Sequence, residues 1–113
     1  MRICRISFVI LLFSFSLMTD LKADSEKMIL GVEVFNNKAM CGTCHVLKAA
    51  GSTGDIGPDL DDLKPSEEQV RSVVIDGLGV MPAFGEEGLL TSEEIDAVSV
   101  SYTHLTLPTN REV

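Results

Sequence analysis

Two thiols and an imidazole are the side chains of this sequence best placed to do chemistry. Residues 41–45 read Cys-Gly-Thr-Cys-His, and thiols at this spacing lie about one helical turn apart. Such a pair can form thioethers to the two vinyl groups of one haem, with the adjacent histidine under the iron as an axial ligand. The pattern therefore predicts covalent attachment of a single haem c at Cys41 and Cys44, with His45 binding the iron.

Three other chemistries use a Cys-x-x-Cys pair. A thioredoxin-like redox site opens a helix in a chain of alternating strands and helices, and the sequence has no strand alternation. A tetrahedral zinc site needs further ligands, and the third cysteine, Cys4, lies in a segment that we expect to be removed. A disulfide between Cys41 and Cys44 would close too short a loop to stabilise the fold substantially.

A low-spin electron-transfer haem needs a second axial ligand. The candidates after residue 23 are Met28, Met40, Met81 and His104. Met40 is on the attachment segment itself, Met28 falls within a predicted helix, and His104 lies in an irregular tail. Pro82 disfavours helical geometry at the residue before it, so a loop presents the Met81 thioether 36 residues after the motif histidine. A lone methionine more often fills a core, but this position favours iron ligation by Met81.

The N-terminus has the pattern of a secretory signal. Arg2 and Arg5 precede an almost purely apolar run over residues 6–18, and Leu-Lys-Ala at 21–23 is an acceptable cleavage site. The run is shorter than the ~20 residues that span a bilayer. We predict that residues 1–23 are a signal peptide and that the protein is exported, to the periplasm or, in a photosynthetic source, the thylakoid lumen. An uncleaved membrane anchor is the alternative.

The mature chain is strongly acidic. Residues 24–113 hold 16 acidic and six basic side chains, a net charge of −10. This charge argues against nucleic acid and anionic lipid surfaces as partners, and no stable membrane insertion is expected after cleavage. We expect a monomer that meets redox protein partners through their basic docking surfaces. The alternative is that the acidity serves solubility alone.

Periodicity and capping residues predict an all-α chain. A first helix is expected from residues 24–25, with apolar side chains at helical spacing. Residues 66–69 and 91–94 are capping boxes that open two further helices. Glycine-rich and proline-containing loops at 49–64 and 77–90 separate the helices, and a short helical turn is expected within the first of them.

Several motifs together resemble the small class I c-type cytochromes of bacteria and photosynthetic organisms. They are the motif at 41–45, Gly-Pro-Asp-Leu at 57–60 and Met-Pro-Ala-Phe at 81–84, in that family's order and spacing. The Gly31 and Phe35 pair is similar to the family's first helix. The resemblance covers about residues 26–100 and implies a small cytochrome c fold, with three to four helices wrapped around one haem.

The resemblance also implies roles for further residues. It implies that the Pro58 carbonyl accepts a hydrogen bond from His45 Nδ1, which would fix the imidazole and raise its basicity. It places Met81 as the second iron ligand and Phe84 among the residues that bind the cofactor. It implies an electron carrier rather than an enzyme, because both axial positions are filled.

The C-terminus departs from the family pattern. The last helix should carry an aromatic residue that packs on the first helix, and Tyr102 occupies this place shifted by one. After Val98 the apolar pattern is lost. We therefore expect a cytochrome domain over residues 24–100, with the helix ending near Val98, and an atypical tail of foreign sequence over 101–113.

The leading interpretation is an exported monohaem electron carrier. One alternative is a haem-bearing subunit held permanently in a larger dehydrogenase or oxidase. Another is a haem sensor or enzyme with an open sixth position, which would need Met81 to be displaced and a polar group beside the iron. Residues 81–84 offer no such group.

Overall fold

The computed structural model describes residues 21–106. Most of the predicted signal peptide, residues 1–20, and residues 107–113 of the predicted tail lie outside this range. The first described helix, α1, covers residues 21–33, so Asp24 and Ser25 do not begin it as expected. The Ser25 hydroxyl instead donates to the carbonyl of Leu21, 3.1 Å away, within the helix. Signal cleavage after Ala23 stays a prediction.

The predicted all-α fold is confirmed, with one very small hairpin added. After α1 the chain makes a π-helical turn at Val34–Lys38 and a 3₁₀ turn at Cys41–Thr43. The hairpin follows, with strands β1 at Val46–Leu47 and β2 at Ser52–Thr53 on either side of a 3₁₀ turn at Lys48–Ala50. Three α-helices complete the described chain, α2 at Leu60–Leu63, α3 at Glu67–Asp76 and α4 at Ser92–Thr106. Val46 pairs with Thr53 and Leu47 with Ser52, antiparallel.

Side-chain caps begin the later helices where the sequence predicts them. Ser66 and Gln69 form the capping box of α3. At α4 the Thr91 N–H donates to Glu94 Oε2 at 2.9 Å, and the Glu94 N–H donates to Thr91 Oγ1 at 3.2 Å. These reciprocal bonds satisfy backbone donors that a helix start leaves free. Both predicted boxes are therefore confirmed.

The prediction that the last helix ends near Val98 is wrong, since α4 continues to Thr106. The hydroxyls of Ser99 and Ser101 are buried but donate to carbonyls of their own helix, at 2.8 and 3.1 Å. Serines satisfied in this way do not interrupt a buried helix face. Tyr102 is 97% buried and belongs to the core, so the packed domain extends beyond residue 100. The foreign origin of the tail stays a prediction.

Helices α1 and α4 cross in contact at Gly31. A β-carbon at this position would lie 2.2 Å from the Ala97 carbonyl oxygen and 2.2 Å from Ser101 Oγ. Glycine thus allows the close approach that the sequence predicts for this face. The core beside the crossing is one buried cluster, composed of Val34, Phe35, Leu47, Val74, Leu90, Ile95, Val98 and Tyr102.

Two ion pairs connect α4 to other parts of the chain. Arg71 on α3 donates to Asp96 on α4 at 2.9 Å, and Lys38 donates to Glu94 at 2.5 Å. Exposed ion pairs contribute little stability, so the buried cluster dominates the packing of α3 and α4.

Among residues 21–106, no helix is both long enough and apolar enough to cross a bilayer.

Candidate haem-attachment site

The two cysteines and the histidine of the motif lie on one compact turn. Met40 precedes the turn in the left-handed conformation, with φ 50° and ψ 42°. The Cys41 carbonyl then accepts the N–H groups of both Cys44, at 3.1 Å, and His45, at 3.0 Å. The cysteines are free thiols and partly exposed. The turn therefore brings both thiols and the imidazole to one place, as attachment of a single haem requires.

The electrostatics of Cys41 oppose the thiol-redox alternative. Burial raises the pKa of the Cys41 thiol to about 11, and the neighbouring Cys44 adds to the rise, while a backbone hydrogen bond opposes it. A redox-active cysteine needs a lowered pKa, because the thiolate is the nucleophile. As for a zinc site, residues 21–106 contain no group of three His, Cys, Asp or Glu side chains arranged to hold a metal ion.

The imidazole of His45 is held by the backbone of residues 57–58. Its Nδ1 lies 2.7 Å from the carbonyl oxygen of Pro58, the contact that the family resemblance implies. A carbonyl only accepts, so Nδ1 carries the proton, and Nε2 keeps its lone pair for a metal. The Gly57 N–H donates to the Cys44 carbonyl at 2.7 Å, which ties this segment to the attachment turn.

Three glycines make room around the attachment turn. A β-carbon at Gly57 would lie 2.6 Å from Cε1 of the His45 ring, and one at Gly54 would lie 2.4 Å from the Thr43 carbonyl oxygen. One at Gly42 would lie 2.6 Å from the β-carbon of Ser52. The sequence places Gly54 in a loop and Gly57 in both that loop and the motif at 57–60. Glycines at every third position, 51, 54 and 57, indicate that the backbone is closely approached there, but they do not show by which groups.

Met81 lies at the end of a tight turn that begins at Leu78. Its N–H donates to the Leu78 carbonyl at 3.0 Å, and Gly79 at the tip has φ +60°. Gly77, which ends α3 with φ +72°, lets the following segment fold back on the helix end. A β-carbon there would lie 2.8 Å from the Met81 carbonyl oxygen and 2.9 Å from the Ala83 nitrogen.

The chain after Met81 is fastened to the C-terminal end of α3. The Gly85 N–H donates to the Val74 carbonyl at 3.3 Å, and the Glu86 N–H donates to the Ile75 carbonyl at 3.2 Å. The Phe84 carbonyl accepts the N–H groups of residues 89 and 90, at 2.9 and 3.1 Å. Backbone bonds therefore hold the segment that follows Met81 against the end of α3, while Met81 itself is bonded to Leu78.

The donor set fits a covalently bound haem c. Cys41, Met81 and Phe84 are partly buried, and an attachment thiol and the candidate thioether ligand both pack against the same core cluster. Two free thiols, an imidazole with an available Nε2 and a thioether are the groups that such a haem uses. Of the other ligand candidates, Met40 is 60% exposed and His104 is also exposed.

Comparisons with known proteins agree with this geometry. A family model described as cytochrome C oxidase, cbb3-type, subunit III matches residues 28–100. The crystal structure of the c-type cytochrome SorU from Sinorhizobium meliloti is similar to this chain, with a TM-score of 0.67 and 39% sequence identity. The match covers 73% of this chain and 93% of that one. No curated protein gives a match.

Proposed function

Since this chain belongs to the family of cytochrome C oxidase, cbb3-type, subunit III, and is a small c-type cytochrome with one covalent haem c, we propose that it carries single electrons between redox proteins. The observation that supports this most is the hydrogen bond from His45 Nδ1 to the Pro58 carbonyl, which holds the imidazole beside the two thiols with its Nε2 free. Filling both axial positions leaves no site for a substrate, so we propose no catalytic reaction for this chain.

The attachment turn holds the cofactor and sets the proximal ligand. In this proposal Cys41 and Cys44 supply the two thioether bonds and His45 Nε2 binds the iron. The haem supplies an iron that gains and loses one electron. The Pro58 carbonyl keeps the imidazole ring in one orientation and raises its basicity, which strengthens its bond to ferric iron.

The loop that carries Met81 supplies the second ligand. We assign Met81 Sδ as the distal ligand, which favours ferrous iron and raises the reduction potential. Phe84, partly buried against the core three residues later, is assigned a contact with the cofactor. The backbone bonds to α3 keep the loop in place and thereby limit access of other ligands to the iron.

The proposed setting is outside the cytoplasmic membrane. The pattern of residues 1–23 supports export to the periplasm, and the charge of −10 on residues 24–113 supports redox partners with basic surfaces and a monomeric carrier. The matched family description favours a second candidate, a haem-bearing subunit of a larger oxidase. Gel filtration of native extract separates the two, since a free carrier elutes at the mass of one chain.

The test of the proposed function is chemical and optical. The holoprotein should carry one haem that survives acid–acetone extraction, and the reduced and oxidised spectra should both be low-spin. Replacing both cysteines, Cys41→Ser with Cys44→Ser, should release the haem on extraction. Extractable haem in the unmutated protein, or a high-spin iron that binds added ligands at once, would refute the proposal.

A further inference from the structure

We infer that Asp61 is a positioning residue for the His45 imidazole, because its carboxylate holds the segment that presents the Pro58 carbonyl to that ring. The carboxylate accepts the Lys48 N–H, and this bond lies three residues further along both segments than the bond between His45 and Pro58. We call these two bonds together the clasp. The inference rests on the proposed function, because it concerns the imidazole that is assigned to the iron.

The two bonds of the clasp match each other along the chain. His45 Nδ1 lies 2.7 Å from the Pro58 carbonyl oxygen, and the Lys48 N–H donates to Asp61 Oδ2 at 2.9 Å. Each bond joins residues 13 positions apart, so residues 45–48 lie beside residues 58–61 and are bonded to them at both ends. Loss of the bond at Asp61 therefore frees one end of the segment that carries the Pro58 carbonyl.

Pro58 depends on its neighbours because its own backbone offers little to hold it. Proline has no N–H, and its carbonyl is already the group that accepts from His45. On the N-terminal side, the Gly57 N–H donates to the Cys44 carbonyl at 2.7 Å. On the C-terminal side the chain enters α2 after one residue, so the orientation of the Pro58 carbonyl follows the position of α2.

Asp59 makes the connection between Pro58 and α2 rigid. It is the N-cap of α2, and its Oδ1 accepts the N–H groups of Asp61 at 2.8 Å and of Asp62 at 3.2 Å. The helix itself has only four residues, Leu60–Leu63, and a helix this short is not stable in isolation. Contacts with other parts of the chain must therefore fix its position.

Asp61 makes the better of the side-chain bonds that fix α2. Within residues 21–106, one other such bond reaches this helix, from the Tyr102 hydroxyl to the Leu60 carbonyl at 3.4 Å, which is long for a hydrogen bond. The bond from the Lys48 N–H is 2.9 Å long, and it is strengthened by the charge of its carboxylate acceptor. Lys48 also begins a 3₁₀ turn that Leu47 does not cap with its side chain, so the carboxylate satisfies the first donor of that turn.

The test measures two properties of the holoprotein that report on the imidazole itself. The first is the rate at which the His45 Nδ1 proton exchanges with solvent, followed by NMR on the reduced, low-spin protein. The second is the midpoint potential, which should rise when the Pro58 bond is weakened, because the imidazole becomes a weaker donor to ferric iron. Urea unfolding of the same samples records global stability separately.

Two substitutions at one position separate the hydrogen bond from the charge. Asp61→Ala removes both, whereas Asp61→Asn removes the charge and keeps an amide oxygen that can accept the Lys48 N–H. Asp62→Ala is the matched control, because this neighbouring carboxylate is exposed and accepts none of the hydrogen bonds found within residues 21–106. The difference between Asp61→Ala and Asp61→Asn therefore measures the bond alone.

Asp61→Ala should speed exchange of the His45 proton about tenfold, the factor that corresponds to loss of one hydrogen bond to a charged group. Its midpoint potential should lie above that of Asp61→Asn. Asp62→Ala should change the exchange rate by less than about twofold, as for a surface substitution. Equal exchange rates and potentials in the two variants at residue 61 would overturn the inference, and so would an equally large effect of Asp62→Ala. Covalent, low-spin haem in the unmutated protein would leave the carrier function standing in that case.

A measurement on the unmutated protein decides the question if Asp61→Ala yields no holoprotein. The Lys48 amide proton and the His45 Nδ1 proton belong to the same clasp, so they should exchange through one opening, with the same dependence on low concentrations of urea. Different dependences would overturn the clasp. Extractable haem or high-spin iron in the unmutated protein would instead refute the proposed function.

Discussion

The Nδ1 atom of His45 lies 2.7 Å from the carbonyl oxygen of Pro58. The residue before Pro58 is Gly57, and the absence of a side chain there makes this contact possible. The peptide of Gly57 lies directly against the imidazole and also donates to the Cys44 carbonyl. Residues 57–58 thus orient the His45 ring and are hydrogen-bonded to Cys44, the residue before His45. The proximal side of the site depends on this arrangement.

Gly57→Ala should disturb this arrangement, because the new methyl group would lie 2.6 Å from the ring. Loss of the Pro58 hydrogen bond makes the imidazole a weaker donor to ferric iron, so the midpoint potential should rise. Redox titration measures it. The control is Gly51→Ala, where a β-carbon meets nothing within 4 Å but φ is +71°. That variant should lose roughly 1–2 kcal/mol of stability at unchanged potential. Equal potentials in the two variants would contradict the positioning role.

Met81→Ala should remove the assigned distal ligand. The weak red charge-transfer band of thioether-ligated ferric iron should disappear, added ligands such as azide should bind, and the potential should fall because the thioether favours ferrous iron. Optical titration with azide checks this. Met40→Ala is the control, since that side chain is 60% exposed and adjoins Cys41. An unchanged band in Met81→Ala would show that another residue is the ligand, with His104 the first to test.

Gly31→Ala should destabilise the fold although alanine is the better helix former. The added β-carbon would lie 2.2 Å from the Ala97 carbonyl oxygen, which belongs to a helix backbone and cannot move alone. Overpacking of this kind costs about 1–3 kcal/mol, and it has to exceed the ~1 kcal/mol gained in helix propensity. Equilibrium urea unfolding of the holoprotein measures the difference. An increase in stability would show that the helices separate at no cost.

Tyr102→Ala should be among the most destabilising changes outside the attachment turn. Tyr102 is 97% buried in the core cluster, and removing a buried aromatic ring costs roughly 3–5 kcal/mol. Tyr102→Phe keeps the ring and loses only a 3.4 Å hydrogen bond to the Leu60 carbonyl, so it should cost less than about 1 kcal/mol. Urea unfolding compares the two. If both variants match the unmutated protein, residues beyond 100 do not contribute to the domain.

The rate of electron transfer to a cationic acceptor should fall steeply as ionic strength rises. The attraction between the acidic chain and the acceptor is screened over ~8–10 Å at physiological salt. With an anionic acceptor the rate should instead rise, because screening weakens a repulsion. Stopped-flow measurements over a salt series with both acceptors decide this. Parallel salt trends would indicate that the acidity serves solubility alone.

The sequence by itself determined the local chemistry of this protein. The spacing within residues 41–45 defines haem attachment, because two thiols and an imidazole within five residues need no distant partner to act together. The capping boxes at Ser66 and Thr91 were equally predictable, since each one joins groups only three residues apart. The Pro58 contact with His45 followed from family resemblance rather than from local pattern.

Only the tertiary structure decided which residues meet across the chain. Ser99 and Ser101 looked like the end of a helix face, but their hydroxyls bond to their own helix and α4 continues through Tyr102. Gly57 leaves no room for a side chain because the His45 ring lies within contact distance of it. The path of the chain after Met81 likewise depends on backbone bonds that join residues 85–86 to the end of α3. The serine bonds are local, but the burial of that helix face and the contacts of Gly57 and of residues 85–86 depend on packing between separate segments, which residue type and spacing do not encode on their own.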